Sequence, residues 1–135
     1  MLHKLVRTVM HNGVISCRHD ATVAEVVRTL SDTDIHALVV VGDTGEAVGI
    51  VSHMDIIPHH AADLEQLTAA DIMTEGVVSV SPNATVQQAI DLMLARRIHR
   101  LVVVQSQDDR LMPLGMLSTT DIVREMRGSK WTWYA

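Results

Sequence analysis

The sequence predicts an α/β (α+β) fold built from two similar β-α-β-β-α halves, on three observations. The first is an internal repeat. Ile98-His99-Arg100-Leu101-Val102-Val103-Val104 restates Ile35-His36-Ala37-Leu38-Val39-Val40-Val41 at an offset of 63 residues. Ala84-Thr85-Val86 restates Ala21-Thr22-Val23, and Met73 restates Met10, at the same offset. Beyond the apolar run the offset becomes 66, where Gly115-Met116-Leu117-Ser118 follows Gly49-Ile50-Val51-Ser52 and Asp121-Ile122 follows Asp55-Ile56. One three-residue insertion in the polar stretch Gln105 to Met112 accounts for the change, and a repeat of this quality is one structural unit written twice. The second observation is a capping box in each half, Thr22 with Glu25 and Thr85 with Gln88, which opens a helix by mutual side-chain and backbone hydrogen bonds. The third is the pair of unbroken apolar runs, which do not alternate and so read as strands buried on both faces.

Each element follows in chain order. Residues 2–10 read as a short helix with Leu2, Leu5, Val6 and Val9 on one side. Val14 to Cys17 reads as a strand, and the Thr22 cap opens a helix to about Asp32. Ala37 to Val41 is a strand, Gly42-Asp43-Thr44-Gly45 a turn, and Ala47 to Val51 the antiparallel return. Ser52 opens a helix that Pro58 disturbs, and residues 59–68 join the halves. The second half repeats the order: strand Val77 to Val80, helix Thr85 to Arg96, strands Arg100 to Val104 and Pro113 to Leu117. Its last helix runs from Ser118 to about Arg127, stopped by Gly128. The division expected is residues 1–62 for the first repeat, 63–130 for the second and 131–135 for an aromatic tail.

Composition bounds the function. The 135 residues make one domain by length, and a half of about 60 residues is marginal alone, so the halves are expected to share a core. Hydrophobic residues make up 47% of the chain, yet Phe is absent and Trp131, Trp133 and Tyr134 are the only large aromatics, so the core is aliphatic. A net charge of −5 argues against general nucleic-acid binding. No apolar run approaches the roughly 18 residues of a membrane span, and Lys4 and Arg7 interrupt any leader-like start. Val14-Ile15-Ser16-Cys17 faintly resembles a lipoprotein cleavage box, but Cys17 takes the place of Val80, a strand position. A single Cys excludes an internal disulfide and fits a reducing compartment, so a cytoplasmic location is expected.

Chemistry concentrates in two places. Both repeats carry Gly-x-x-Ser-x-x-Asp where a strand passes into a helix: Gly49, Ser52, Asp55 and Gly115, Ser118, Asp121. One reading is a helix cap and nothing more. The other adds a ligand: helix N-termini offer unsatisfied N–H groups to phosphate, and an acidic residue one turn in can accept hydrogen bonds from a ribose diol. The second place is Arg96, Arg97, His99 and Arg100, of which the first two suit a helix C-terminus while Arg100 stands at the start of a buried strand.

The doubled pattern resembles a pair of cystathionine-β-synthase (CBS) domains, the Bateman module, over about residues 5–127. His-Arg-Leu-Val-Val-Val followed by Gly-x-x-Ser-x-x-Asp is similar to the adenylate-sensing subunit of AMP-activated protein kinase. The resemblance implies two CBS units related by a pseudo-twofold axis, sheets packed together with helices outside, and adenosyl ligands (AMP, ADP, ATP or S-adenosylmethionine) held in clefts between the repeats. It implies one cleft from Ser52, His53 and Asp55 with Val77, Val78, Ile98, His99 and Arg100. There Asp55 would hold the ribose and the main chain at Val78 the adenine edge. Ile98 would pack on the base, and Ser52, His99 and Arg100 would meet phosphate. The other cleft would use Ser118, Thr119 and Asp121 with Val14, Ile15, Ile35, His36 and Ala37. Since Ala37 stands where Arg100 does, and Asp32 and Asp34 lie upstream, the first cleft is expected to take phosphorylated ligands better. A homodimer, a regulated partner protein, and no catalytic cofactor are part of the same expectation.

Other features leave alternatives. His53, His59 and His60 are expected to be solvated rather than metal ligands. Trp131-Thr132-Trp133-Tyr134 reads as a tail folded onto the chain's own surface, as a partner or dimer contact, or as a membrane-surface anchor. No nucleophile pairs with a base and no phosphate-binding Gly-Lys loop is present, so a binding module is expected rather than an enzyme. A nucleotide hydrolase would need His53 or His99 as base, and an assembly module would have vestigial clefts.

Overall fold

A computed structural model describes residues 2–33 and 35–128. In chain order these form α1 (Val6–Val9), β1 (His11–Asn12), β2 (Ser16–Arg18), α2 (Val23–Thr33), β3 (Ala37–Val41) and β4 (Ala47–Ser52). Then come α3 (His53–Ile56), a 3-10 turn (Ile57–His59), α4 (Ala69–Ile72), β5 (Thr74–Glu75) and β6 (Ser79–Val80). The chain closes with α5 (Val86–Arg96), β7 (Arg100–Gln107), β8 (Arg110–Ser118) and α6 (Thr119–Arg127). The strands make two four-stranded sheets, in the orders β2-β3-β4-β5 and β1-β8-β7-β6. Each sheet carries a parallel pair across a helix, and the first carries the expected antiparallel return: Ser16 lies beside Val39 and Ala37 opposite Ser52.

The two sheets expose an arrangement the repeat alone does not reveal. The chain forms two compact units, residues 14–77 with 106–113, and residues 2–13 with 78–105 and 114–128. The short helix and strand that lead into each repeat therefore belong to the other repeat's unit. In the first unit β5 pairs with β4, Gly49 opposite Glu75. In the second, β1 pairs with β8, Asn12 opposite Gly115. The hydrogen bonds repeat as faithfully as the residues. Ala69 N donates to Ala21 O at 2.8 Å and Ala70 N to His19 O at 2.9 Å, while Val6 N donates to Ala84 O at 2.8 Å and Arg7 N to Pro82 O at 3.0 Å. In return, the first-turn N–H groups of α2 and α5 find carbonyls on the lead-ins, Val23 N to Leu67 O and Val86 N to Lys4 O, each at 2.8 Å. Those donors have no partner inside their own helix, so the lead-in completes the helix start.

The glycine of Gly-x-x-Ser-x-x-Asp is explained by this crossing. A Cβ on Gly115 would stand 2.2 Å from the carbonyl oxygen of His11, and one on Gly49 would stand 2.5 Å from the sulfur of Met73 and 3.0 Å from the Thr74 oxygen. Met10 and Met73, matched in the repeat, lie against these glycines.

The buried side chains fall in two clusters, one per unit, at equivalent repeat positions. Val23, Val26, Leu30, Leu38, Val40 and Val51 correspond to Val86, Ala89, Met93, Leu101, Val103 and Leu117, with Ala69 and Val6 supplied by the lead-ins. Val39 and Val102, which alternate with these along β3 and β7, are also fully buried, so both faces of each strand are dry, as the unbroken runs predict.

Several boundaries differ from expectation. The helix expected over residues 2–10 is one turn, Val6–Val9, because the chain to either side hydrogen-bonds to α5 and β8. The strand expected from Val14 begins at Ser16, and that expected from Val77 begins at Ser79. The helix opened by Ser52 lasts four residues before Pro58 turns it into 3-10 geometry. The inserted residues lengthen the second hairpin, whose ends meet at Asp108 and Asp109 with φ of 53° and 62°, the doubly left-handed turn suited to right-twisted strands. Cys17 sits mid-strand opposite Val40, and burial, with Glu25 nearby, pushes its thiol up to about 11. No described helix is long and apolar enough to cross a membrane.

Candidate functional site

The two Ser-x-x-Asp corners form helix caps in both units. In the first, Asp55 Oδ2 accepts from Ser52 N at 2.7 Å and from Ser52 Oγ at 3.1 Å. In the second, Asp121 Oδ2 accepts from Ser118 N at 2.9 Å and Oγ at 3.0 Å, and Ser118 Oγ accepts from Asp121 N at 3.3 Å. The capping reading is therefore correct. It engages one carboxylate oxygen of each Asp and leaves acceptor capacity on the other. Asp55 Oδ1 accepts from Thr74 Oγ1 at 3.0 Å, whereas Asp121 Oδ1 lies 3.9 Å from Arg124 Nη1. Thr74 was not singled out by the sequence; the signal that could have found it is the paired repetition of Met10 with Met73 and Gly115 with Gly49.

Around the first corner the described residues gather closely. Ala37 starts β3 opposite Ser52, and the His36 and His53 rings meet edge to face with centroids 5.6 Å apart. Ile35 and His53 line one groove of about 300 Å³ with Val27, Leu30, Ser31, Ile56 and Ile57. These last five were not anticipated. Ile15 O accepts from Val39 N at 3.0 Å, which fixes the Val14-Ile15 approach to β2. Val77 closes this unit's segment, half-buried. The resemblance assigned Ile35, His36 and Ala37 to a different cleft from Ser52 and His53; within this unit the two sets are neighbours at one end of the sheet.

The second corner has matching geometry and different chemistry. Thr119 N donates to His99 O at 2.9 Å, tying the start of α6 to the residue before Arg100. Val78 O accepts from Val102 N at 3.2 Å, so its backbone carbonyl is engaged in the sheet. Arg97 ends α5 in the left-handed region, φ 54°, and Ile98 N reaches back to Met93 O at 3.1 Å; this reversal brings Arg100 to the head of β7, half-buried. Helix α6 runs nine residues, so its N-terminus carries a fuller dipole than the single turn of α3. Among the described residues no three His, Cys, Asp or Glu side chains gather as a cation cage.

The CBS domain family matches twice, over residues 6–60 and 69–128. The chain is 33% identical over 138 aligned positions to the 5'-AMP-activated protein kinase subunit gamma-3 of Sus scrofa, covering 90% of this chain and 26% of that protein. It is 29% identical to the inosine-5'-monophosphate dehydrogenase of Methanocaldococcus jannaschii, covering 88% of this chain and 23% of that one. The chain thus spans about a quarter of these two relatives. The CBS domain pair of protein MJ0100, solved in complex with 5'-methylthioadenosine and S-adenosyl-L-methionine, superposes with a TM-score of 0.79 at 26% identity, covering 94% of this chain and 98% of that one.

Proposed function

The chain belongs to the CBS domain family, and from that premise we propose that it is a regulatory module that binds an adenosyl ligand. The observation that carries this reading is the doubled cap: in both units an Asp engages one oxygen with the helix start and keeps acceptor capacity on the other. A ribose hydroxyl can donate to the acceptor site that remains on it, beside Thr74 at Asp55. The likeness to a domain pair solved with two adenosyl compounds, and to a subunit of a kinase named for activation by AMP, supports the ligand class. In this reading Asp55 and Asp121 hold ribose. Backbone at Val14, Ile15, Val77 and Val78 meets the base edge, with Ile35 and Ile98 on its face. Ser52, His53, His36, His99, Arg100, Ser118 and Thr119 line the sugar and phosphate, with Ala37 giving the less basic counterpart of Arg100. The positive charge at Arg100 favours AMP, ADP or ATP; positions near Ala37 suit a ligand with less negative charge, such as S-adenosylmethionine.

Regulation follows if the ligand binds two arrangements of the protein unequally, because only differential affinity shifts an equilibrium. A homodimer, a regulated partner protein and a cytoplasmic location complete the proposal, with no catalytic role. Calorimetry with AMP, ATP and S-adenosylmethionine tests it, on the native chain and on a Ser52→Ala/Ser118→Ala double variant. Saturable binding that weakens in the variant is expected; no heat with any of the three leaves an assembly module. Conversion of ATP to ADP or AMP during incubation would make the chain an enzyme instead.

A further inference from the structure

The aromatic segment Trp131 to Tyr134 lies outside the described residues. Within them, the three-residue insertion of the second repeat has a structural outcome of its own. Strand β3 has five residues and β4 six, joined through Gly42 to Glu46. Strand β7 has eight and β8 nine, joined by Asp108 and Asp109 alone. The insertion therefore lengthens both strands and tightens the turn between them. The added length is a ribbon without flanking strands. Among the described residues, β6 pairs with β7 at Val102 and Val103, and β1 with β8 at Gly115 and Met116. Residues 105–111 lie beyond those pairs and are exposed. Two strands alone are marginal in water, so a ribbon of this kind needs a support.

The support is in the first unit. Residues 106–113 pack with residues 14–77, although the strand segments that lead to them, 100–105 and 114–118, belong to the other unit. Met112, half-buried, makes the contact: its terminal methyl would stand 3.4 Å from a Cβ placed on Gly45. Gly45 has φ 87°, and its bare backbone leaves a seat for the flexible thioether. The seat is held in shape. Gly42 N donates to Glu46 O at 2.8 Å, Gly45 N to Gly42 O at 3.1 Å, and Thr44 N to Glu46 Oε2 at 3.2 Å. From the side, Asp43 Oδ1 accepts from Arg18 Nη2 at 2.9 Å and lies 2.9 Å from His19 Nε2.

We infer that the inserted ribbon is a clamp: through Met112 the second repeat holds the β3–β4 turn of the first, and turn and ribbon open as one event. The two hairpins so joined end at Ser52 and Ser118, where the two Ser-x-x-Asp corners begin, so the clamp links the elements that position them. It rests on the ribbon and its seat, independently of any ligand.

Native-state hydrogen exchange, followed amide by amide, reads local opening and tests the clamp. In Met112→Ala, the amides of Gly42, Thr44 and Gly45 and those of the ribbon, Ser106 to Leu111, should exchange at least several-fold faster than in the native chain. The factor should be similar in both places. The amides of Ala69 and Val86, which hydrogen-bond at the two lead-ins, should be unchanged. Met112→Leu keeps an apolar contact and should restore most of the protection. Leu111→Ala, on the opposite face of the ribbon by strand alternation, should leave the turn amides as they are. Turn amides that exchange alike in the native chain and in Met112→Ala would overturn the inference. So would a turn that loosens while the ribbon stays protected, or an equal loosening of the turn by Leu111→Ala.

Discussion

The two Ser-x-x-Asp corners are the same cap in different company. Both engage the serine backbone and hydroxyl with one carboxylate oxygen. In the first unit the other oxygen is held by Thr74, on a strand donated by the opposite repeat, and the helix behind the cap is one turn long. In the second the other oxygen faces Arg124 at 3.9 Å, and the helix runs nine residues. The positions before the central strands diverge too: His36 and His53 meet as rings, whereas His99 meets Thr119 through its backbone and Arg100 follows it. Duplication has preserved what each unit needs to fold, and has let charge vary at the positions that face a ligand in the proposed function.

The largest test of that comparison concerns the glycines. Gly115→Ala drives a Cβ into backbone, the His11 carbonyl at 2.2 Å, and should cost about 3 kcal/mol by overpacking. Gly49→Ala meets first the flexible Met73 side chain and should cost nearer 1 kcal/mol. Chemical denaturation of both variants decides it, and equal losses would show that the lead-in strands are held alike.

The charge asymmetry comes next. Arg100→Ala should weaken a phosphorylated adenosyl ligand about tenfold or more, since a hydrogen bond to a charged group contributes roughly 1.5–3 kcal/mol. S-adenosylmethionine binding should change less, and calorimetry on one variant with both ligands measures the difference. Equal losses would remove the charge assignment.

A smaller effect separates the caps. Asp121→Ala should cost about 1 kcal/mol, the usual loss at a helix start. Asp55→Ala should cost more, because it also frees Thr74. In a double-mutant cycle, Thr74→Val should cost little once Asp55 is alanine. Thermal melts of the four proteins read this coupling directly.

A pH-dependent effect lies at Cys17, which stands where the other repeat has Val80. Its folded thiol is raised from the usual 9.0 to about 11, so the folded chain holds the proton more tightly than the unfolded one. The stability this contributes is complete below pH 9 and is lost as pH rises from 9 toward 11. Stability measured over that window should fall more in the native chain than in Cys17→Val.

Much of the fold was legible because the repeat doubles every signal. The Thr85 and Gln88 box, the Asp55 and Asp121 caps, and the apolar runs of β3 and β7 all act over a few residues, and local hydrogen bonding and burial periodicity decided them. The two-residue strands β1 and β5 were not legible, since His11-Asn12 and Thr74-Glu75 have no periodicity to read. Five residues of the apolar groove beside His53 were missed for a related reason: Val27, Leu30 and Ser31 come from α2, Ile56 from α3 and Ile57 from the 3-10 turn, which only packing brings together.

The sequence by itself determined that one unit occurs twice, that each copy is β-α-β-β-α, and that Ser and Asp close a helix at each corner. Those are short-range facts, written in spacing and capping chemistry. Only the tertiary structure decided that each repeat lends its lead-in helix and strand to the other's sheet. The physical reason is steric and electrostatic together: the first-turn amides of α2 and α5 need carbonyls from outside their helices, and Gly49 and Gly115 leave room for a neighbouring backbone without naming which one comes.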